Sequence, residues 1–230
     1  MNFFKISFAS LTFLLLFSCK PSESVFSINE LLKNNYRNGN SIALFDGIND
    51  TTFVKLKKFS NAFIFDMKYA TNDNFLKKKV YDCDECYLRL KTAKNLIEAN
   101  TEFLTKGYRI KLFDCYRPID VQKKMWELVP NADYVADPKK GSIHNRGGAV
   151  DITLVDKDGN ELDMGTKFDF FGPEASHNFQ NFSEKIKQNR SLLKEIMLKH
   201  NFKSFDSEWW HYNLTDSYKD NLANFKWDCN

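Results

Sequence analysis

The stretch from Ser142 to Leu154, SIHNRGGAVDITL, sets His144 seven residues ahead of Asp151, with Gly147 and Gly148 between them. Asp151 lies inside an apolar, β-branched run that reads as a buried strand. An isolated carboxylate there is costly unless a positive charge meets it, and a metal ion is one such partner. A second histidine in a motif-like setting, His211, stands in SEWWHY. Catalytic zinc sites typically use three His, Asp or Glu ligands and leave a fourth position for water. His144, Asp151 and His211 supply that set. Glu208, three residues before His211, suits a general base that takes a proton from a metal-activated water and passes it to a leaving amine. Arg117, in DCYRP, has a planar fork of donors that suits a substrate carboxylate or a developing oxyanion. Each residue alone also has a plainer role. His144 fits a surface loop, His211 a core histidine bonded to backbone, Glu208 an exposed strand start, and Arg117 a surface ion pair with Asp114 or Asp120. Their joint occurrence favours the metal site.

These residues need a frame. Leu90, Ala93, Ile97 and Leu104 follow a helical period over 88–104, and Gly107 stands where a helix-ending glycine belongs. Tyr108 to Cys115 alternates as a strand, Arg117-Pro118 ends it, and Pro118 opens a helix over 119–128. From Asn131 to Gly141 the chain reads as loop. Ala149 to Leu154 is a short strand, with Val150, Ile152 and Leu154 toward the core and Asp151 toward a cleft. Ser183 caps a helix carrying Ile186, Leu193 and Met197 and ending near His200. Segments 202–205 and 209–214 close the chain as strands. Residues three apart on a regular strand face opposite ways, so Glu208 must sit at a turn or bulge to share a side with His211. Without a regular βαβ rhythm, the pattern predicts a single α+β domain, a small antiparallel sheet flanked by helices.

Composition sets outer limits. A length of 230 residues suits one well-packed domain, and 33 basic against 30 acidic residues leave only +3, with no basic patch for nucleic acid. The N-terminus, MNFFKISFASLTFLLLFSCK, joins one cation to a short apolar run and reads as an export signal over 1–18. Leu16 to Cys19 resembles the bacterial lipobox, which implies lipid on Cys19 and an anchor in the cell envelope, facing the periplasm or the cell surface. Residues 19–50 read as a polar tether and 51–230 as the folded domain. Cys83, Cys86, Cys115 and Cys229 then fit an oxidising compartment as disulfides or buried thiols, with the pairing open. Cys83 and Cys86 have zinc-ribbon spacing but lack a second close pair. No Gly-x-Ser-x-Gly, Walker loop or dinucleotide fingerprint is present.

Together the motifs resemble the D-alanyl-D-alanine dipeptidases, zinc enzymes that include those of vancomycin resistance. SIHNRGGAVDITL is similar to their S-x-H-x-x-G-x-A-x-D element, EWWHY to E-x-W-H, and DCYRP to their arginine turn. DMKYAT with Asn74 and Phe75 is similar to their D-x-K-Y-A-T-x-x-N-F signature. The resemblance spans about Asp66 to Tyr212. It implies one zinc on His144, Asp151 and His211, Glu208 as base and Arg117 as transition-state stabiliser. It also implies that Ser142 and Asp169 hold the dipeptide, Asp169 near its ammonium. The expected activity is hydrolysis of D-Ala-D-Ala in peptidoglycan-related metabolism. The rival readings are a D,D-carboxypeptidase on longer wall peptides and a non-catalytic wall-binding lipoprotein. The lipoprotein-like leader and the cysteines at 83 and 86 are departures from the family pattern.

Overall fold

The computed structural model describes residues 45–132, 134–227 and 229; the export signal, Cys19 and the tether as far as residue 44 lie outside them. Its strands and α-helices run β1 (Phe53–Lys55), β2 (Ile64–Phe65), β3 (Tyr87–Arg89), α1 (Leu90–Thr105), β4 (Arg109–Asp114), α2 (Ile119–Leu128), β5 (Ala149–Val155), α3 (Glu184–Lys199), β6 (Phe202–Phe205) and β7 (Glu208–Leu214). Short 3-10 turns link several of them.

The architecture is α+β. β1 and β3 form a small antiparallel pair, and the main sheet has the order β2-β4-β5-β7-β6. The predicted antiparallel sheet needs one correction, because β2 pairs with β4 in parallel. A parallel neighbour requires a crossover connection, and the chain between β2 and β4 supplies one that contains α1. The other pairings of the main sheet are antiparallel.

Helix α1 begins two residues later than its periodicity predicts, because Leu88 belongs to β3. Its buried stripe is Leu90, Ala93, Leu96, Ala99 and Phe103 rather than Ile97 and Leu104, which lie partly exposed at its margin. The helix ends as predicted. Gly107 takes φ 83°, Tyr108 donates its N–H to Phe103 at 3.0 Å, and Gly107 donates to Leu104 at 3.1 Å. Asn100, buried on the same helix, accepts from the Ile110 N–H at 2.8 Å and donates to the Ala62 carbonyl at 3.0 Å, fastening α1 to β4 and the β2 segment. α3 starts where Ser183 accepts the Ile186 N–H. One hydrophobic core joins Leu96 and Phe103 of α1, Leu193 and Met197 of α3, and Val150, Ile152 and Leu154 of β5.

A further correction concerns the start of the domain. Residues 45–50, read from composition as tether, belong to the folded body. Phe45 stacks on Phe59 with centroids 5.3 Å apart, and the Asp50 carboxylate meets Lys94 Nζ at 2.8 Å. Phe45 and Ile48 suffice to dock an otherwise polar stretch on the core. The four cysteines are disulfides, one of the two expected states, and the structure supplies the pairing that sequence left open. Cys83 pairs with Cys229 across 146 residues, and Cys86 with Cys115 across 29.

Closing so long a loop restricts the unfolded chain by about 5 kcal/mol in the chain-entropy picture. Replacing both Cys83 and Cys229 with alanine is therefore expected to lower Tm by roughly 10–20 °C, since each kcal/mol shifts Tm by about 2–4 °C at this size. Calorimetry checks it; a shift below about 2 °C would show that the noncovalent packing of the tail already does the work.

Candidate metal centre

The register of β5 against β7 sets Asp151 directly opposite His211. Directly paired residues project from the same face of a sheet, so two candidate ligands meet by strand pairing alone. His144 arrives from the 3-10 turn His144–Arg146 just before β5. Gly147 leaves that turn at φ 70°, and a Cβ there would run into the Phe53 ring. A Cβ on Gly148 would collide with Ser217. The glycine pair thus lets the turn carry His144 against the sheet end. Arg117 N–H donates to the His144 carbonyl at 3.2 Å, and Asn145 Nδ2 donates to the Arg117 carbonyl at 2.7 Å, locking this turn to the DCYRP turn.

Three donor atoms converge as a result. His211 Nδ1 lies 2.9 Å from Asp151 Oδ1, His144 Nε2 lies 3.4 Å from the same oxygen, and the two nitrogens are 3.2 Å apart. A tetrahedral metal with bonds near 2.0–2.2 Å separates its ligand atoms by roughly 3.3–3.5 Å. The outer nitrogens are already committed. His144 Nδ1 donates to the Cys115 carbonyl at 2.6 Å, and His211 Nε2 donates to Asn213 Oδ1 at 2.9 Å. The inner lone pairs therefore face each other beside a carboxylate, an arrangement that asks for a cation. The electrostatics agree. Burial opposes the charge on Asp151, yet His144 and His211 hold its carboxyl well below the usual range. Burial likewise opposes a charge on His211, yet its bond to Asp151 raises its pKa. The donor set fits a metal ion.

The rest of the constellation surrounds this point. Pairing of β6 with β7 shifts from Ser204↔Tyr212 to Phe205↔Glu208, which throws Trp209 to His211 out of regular register. This irregularity brings Glu208 Oε2 within 3.9 Å of His211 Nδ1 despite their spacing of three. A cavity of about 320 Å³ is lined by Arg117, Ser142, His144, Asp151, Asp169, Glu208 and His211, among others. Every candidate within the described residues thus opens onto one space.

Arg117 does pair with Asp114, but in the interior rather than at the surface. Asp114 is wholly buried at the end of β4, where the pairing with β5 is irregular between Leu112 and Asp114. It accepts Arg117 Nε at 3.1 Å and Nη2 at 2.7 Å, Tyr81 O–H at 2.6 Å and the Cys115 N–H at 2.9 Å. Arg117 Nη1 donates to Gln122 Oε1 at 3.0 Å. The remaining N–H groups of the guanidinium are left for the cavity. Asp120, the other acid close to Arg117 in sequence, is exposed and bonds to Lys123 and Asn224. Asp169 takes φ 56° and accepts the Tyr69 O–H at 3.0 Å. Ser142 Oγ accepts the Asn145 N–H at 3.3 Å.

Sequence reasoning misses several supporting groups, Gln122 and Asn145 beside Arg117 among them. Asn213 is within its reach, because a residue two beyond His211 shares its strand face. Tyr69 stands in the DMKYAT motif with no role attached. Tyr81 gives no signal, since it reaches Asp114 only through the fold.

A family model described as D-ala-D-ala dipeptidase matches residues 49–228. The chain is 37% identical over 150 residues to the D-alanyl-D-alanine dipeptidase of Escherichia coli, covering 65% of this chain and 77% of the relative. Against the D-alanyl-D-alanine dipeptidase of Enterococcus faecium it is 34% identical over 185 residues, 71% of this chain and 92% of the relative. Against that of Enterococcus faecalis the figures are 33% over 198 residues, 75% and 96%.

Elemental analysis of purified protein is expected to find about one metal ion per chain and a sharp loss in His211→Ala. Full retention of metal by that variant would remove His211 from the site.

Proposed function

The chain belongs to the D-ala-D-ala dipeptidase family, and from that premise we propose that it hydrolyses D-Ala-D-Ala with zinc as its metal. The observation that carries this reading is the convergence of His144 Nε2, Asp151 Oδ1 and His211 Nδ1 in a cavity that also holds Glu208, Arg117 and Asp169. Zinc bound by these donors supplies Lewis-acid polarisation of the scissile carbonyl and makes a water nucleophilic near neutral pH.

The chain's own residues do the rest. Glu208 takes the proton of the attacking water and returns it to the leaving amine. Burial raises its pKa above the usual carboxylate value, with His211 partly offsetting, which brings it closer to working pH for both transfers. Arg117 donates its free N–H groups to the oxyanion. Burial works against its charge, but Asp114 beside it keeps the guanidinium firmly protonated. Asp114 and Gln122 also fix its orientation, so no reorganisation is needed as charge develops. Asp169 receives the free ammonium of the dipeptide. Burial, with Asp151 adding, raises its pKa well above the usual range, so the arriving cation favours the ionised form. Ser142 retains its hydroxyl proton for a substrate acceptor. A wall-binding module has no use for a general base poised as Glu208 is, which favours an enzyme.

We also assign the mature protein to the bacterial cell envelope, lipid-anchored through Cys19, where it meets dipeptide derived from cell wall. Leu16 to Cys19 supports this as a lipobox-like stretch, and two disulfides suit an oxidising compartment. Among the described residues no helix is long and apolar enough to cross a membrane. Mass spectrometry of the N-terminal peptide should find Cys19 acylated; an unmodified mature N-terminus elsewhere would sink the anchor.

Turnover of D-Ala-D-Ala is expected in the wild type, with N-acetyl-D-Ala-D-Ala ignored because its neutral amide leaves Asp169 unpaired. Glu208→Ala should keep its metal and lose roughly a hundredfold or more in kcat. Efficient cleavage of the acetylated compound would transfer the function to the carboxypeptidase reading, and an active Glu208→Ala would overturn the mechanism. Arg117→Lys should lose far more rate than stability, because lysine has no fork to share between Asp114, Gln122 and the oxyanion. Comparable kcat in that variant would reduce Arg117 to a general positive charge.

A further inference from the structure

The bond that orients His144 ends on an unusual acceptor. Its Nδ1 donates to the carbonyl of Cys115 at 2.6 Å, and the N–H of the same residue donates to Asp114 Oδ1 at 2.9 Å. Cys115 therefore touches both a metal ligand and the carboxylate that holds Arg117. It lies one residue past the end of β4, outside the sheet's hydrogen-bond ladder. Its neighbours are held by hydrogen bonds alone, Tyr116 N–H to the Tyr87 carbonyl at 3.0 Å, Arg117 N–H to the His144 carbonyl at 3.2 Å, and Asn145 Nδ2 to the Arg117 carbonyl at 2.7 Å. The one covalent restraint is the disulfide to Cys86, which is wholly buried and sits immediately before β3. Cys86 is anchored in turn, its carbonyl accepting the Leu56 N–H at 2.9 Å.

Partners that orient a metal-bound histidine are worth roughly 10- to 100-fold in metal affinity or activity. A carbonyl can play that part only if its own backbone is fixed. We propose that Cys86 and Cys115 are positioning residues whose disulfide clamps the Cys115 carbonyl against His144, so that the metal site reaches full affinity only in the oxidised chain. This rests on the reading of His144 as a ligand. On oxidation two thiols give up two protons and two electrons and form the S–S bond; the electrons go to a small-molecule or protein disulfide, which becomes a pair of thiols. Made in a reducing compartment, the chain binds metal weakly and is a poor hydrolase. Where thiols are oxidised, it gains its working site. In the second disulfide neither cysteine bonds to a candidate ligand or to Asp114 directly. Cys83–Cys229 ties down the C-terminal tail, whose Phe225 stacks on Tyr116 at 4.5 Å and whose Trp227 stacks on Tyr87 at 5.9 Å.

The test is a zinc titration against a competing chelator at 25 °C, with circular dichroism on each variant. Cys86→Ala with Cys115→Ala is expected to bind zinc roughly 10- to 100-fold more weakly than wild type, with kcat falling and KM changing little. Cys86→Val with Cys115→Ala, which refills the lost volume, should keep the fold and show the same weakening. Cys83→Ala with Cys229→Ala should lose thermal stability yet bind zinc within about threefold of wild type. Native-like zinc affinity in both Cys86 variants would overturn the proposal, as would equal weakening in the Cys83 and Cys229 pair, which would mark a general loss of stability. Failure of the wild type itself to bind zinc would instead remove the ligand reading beneath it.

Discussion

The burial of one carboxylate charge governs the architecture of the site. Asp151 is 3% exposed on β5, a strand buried at every position, and its carboxyl stays ionised because two imidazoles lie within 3.4 Å of Oδ1. Strand pairing places His211, and the turn of His144 with its two glycines places the other. Each imidazole has its outer nitrogen tied to a carbonyl, so neither can turn away. A metal ion completes the balance. Removing any one partner leaves buried charge or lone pairs uncompensated, and that is far more costly than losing an exposed ion pair.

A second buried charge pair, Asp114 with Arg117, sits against the first. His144 Nδ1 is 3.7 Å from Asp114 Oδ2, so the candidate metal ligands and Arg117, the proposed oxyanion donor, share one wall. Both depend on departures from regular sheet geometry. The irregularity before Asp114 and the register shift before Tyr212 turn side chains into the cavity that an ideal strand would send elsewhere. Glu208, Arg117 and Asp169 are therefore fixed by backbone before substrate arrives, the condition for electrostatic catalysis in the roles proposed for them.

Much of this is legible in the sequence because chemistry concentrates in short motifs. The spacing from His144 to Asp151, the strand alternation around Asp151 and the pair Glu208 and His211 name the core of the site by themselves. The need for an irregular strand at Glu208 follows from the two-residue period of a strand. Less accessible are contacts created only by the fold, such as Tyr81 on Asp114, and the parallel edge pairing of a two-residue strand too short to show a pattern. Periodicity misplaces two members of the α1 stripe by one position each, because Ile97 and Leu104 are as apolar as Leu96 and Phe103, which are the ones buried. The tether boundary fails because composition averages over Phe45 and Ile48. Disulfide pairing stays open in principle, since four cysteines allow several connectivities.

The most direct test is diffraction at the zinc absorption edge from crystals holding a non-hydrolysable D,D-dipeptide analogue. The expected result is one anomalous peak roughly 2.0–2.2 Å from His144 Nε2, Asp151 Oδ1 and His211 Nδ1, with the analogue's ammonium against Asp169 and its tetrahedral centre between Arg117 and Glu208. A peak at any other cluster, or an analogue bound with its ammonium away from Asp169, would contradict the assignment of this cavity.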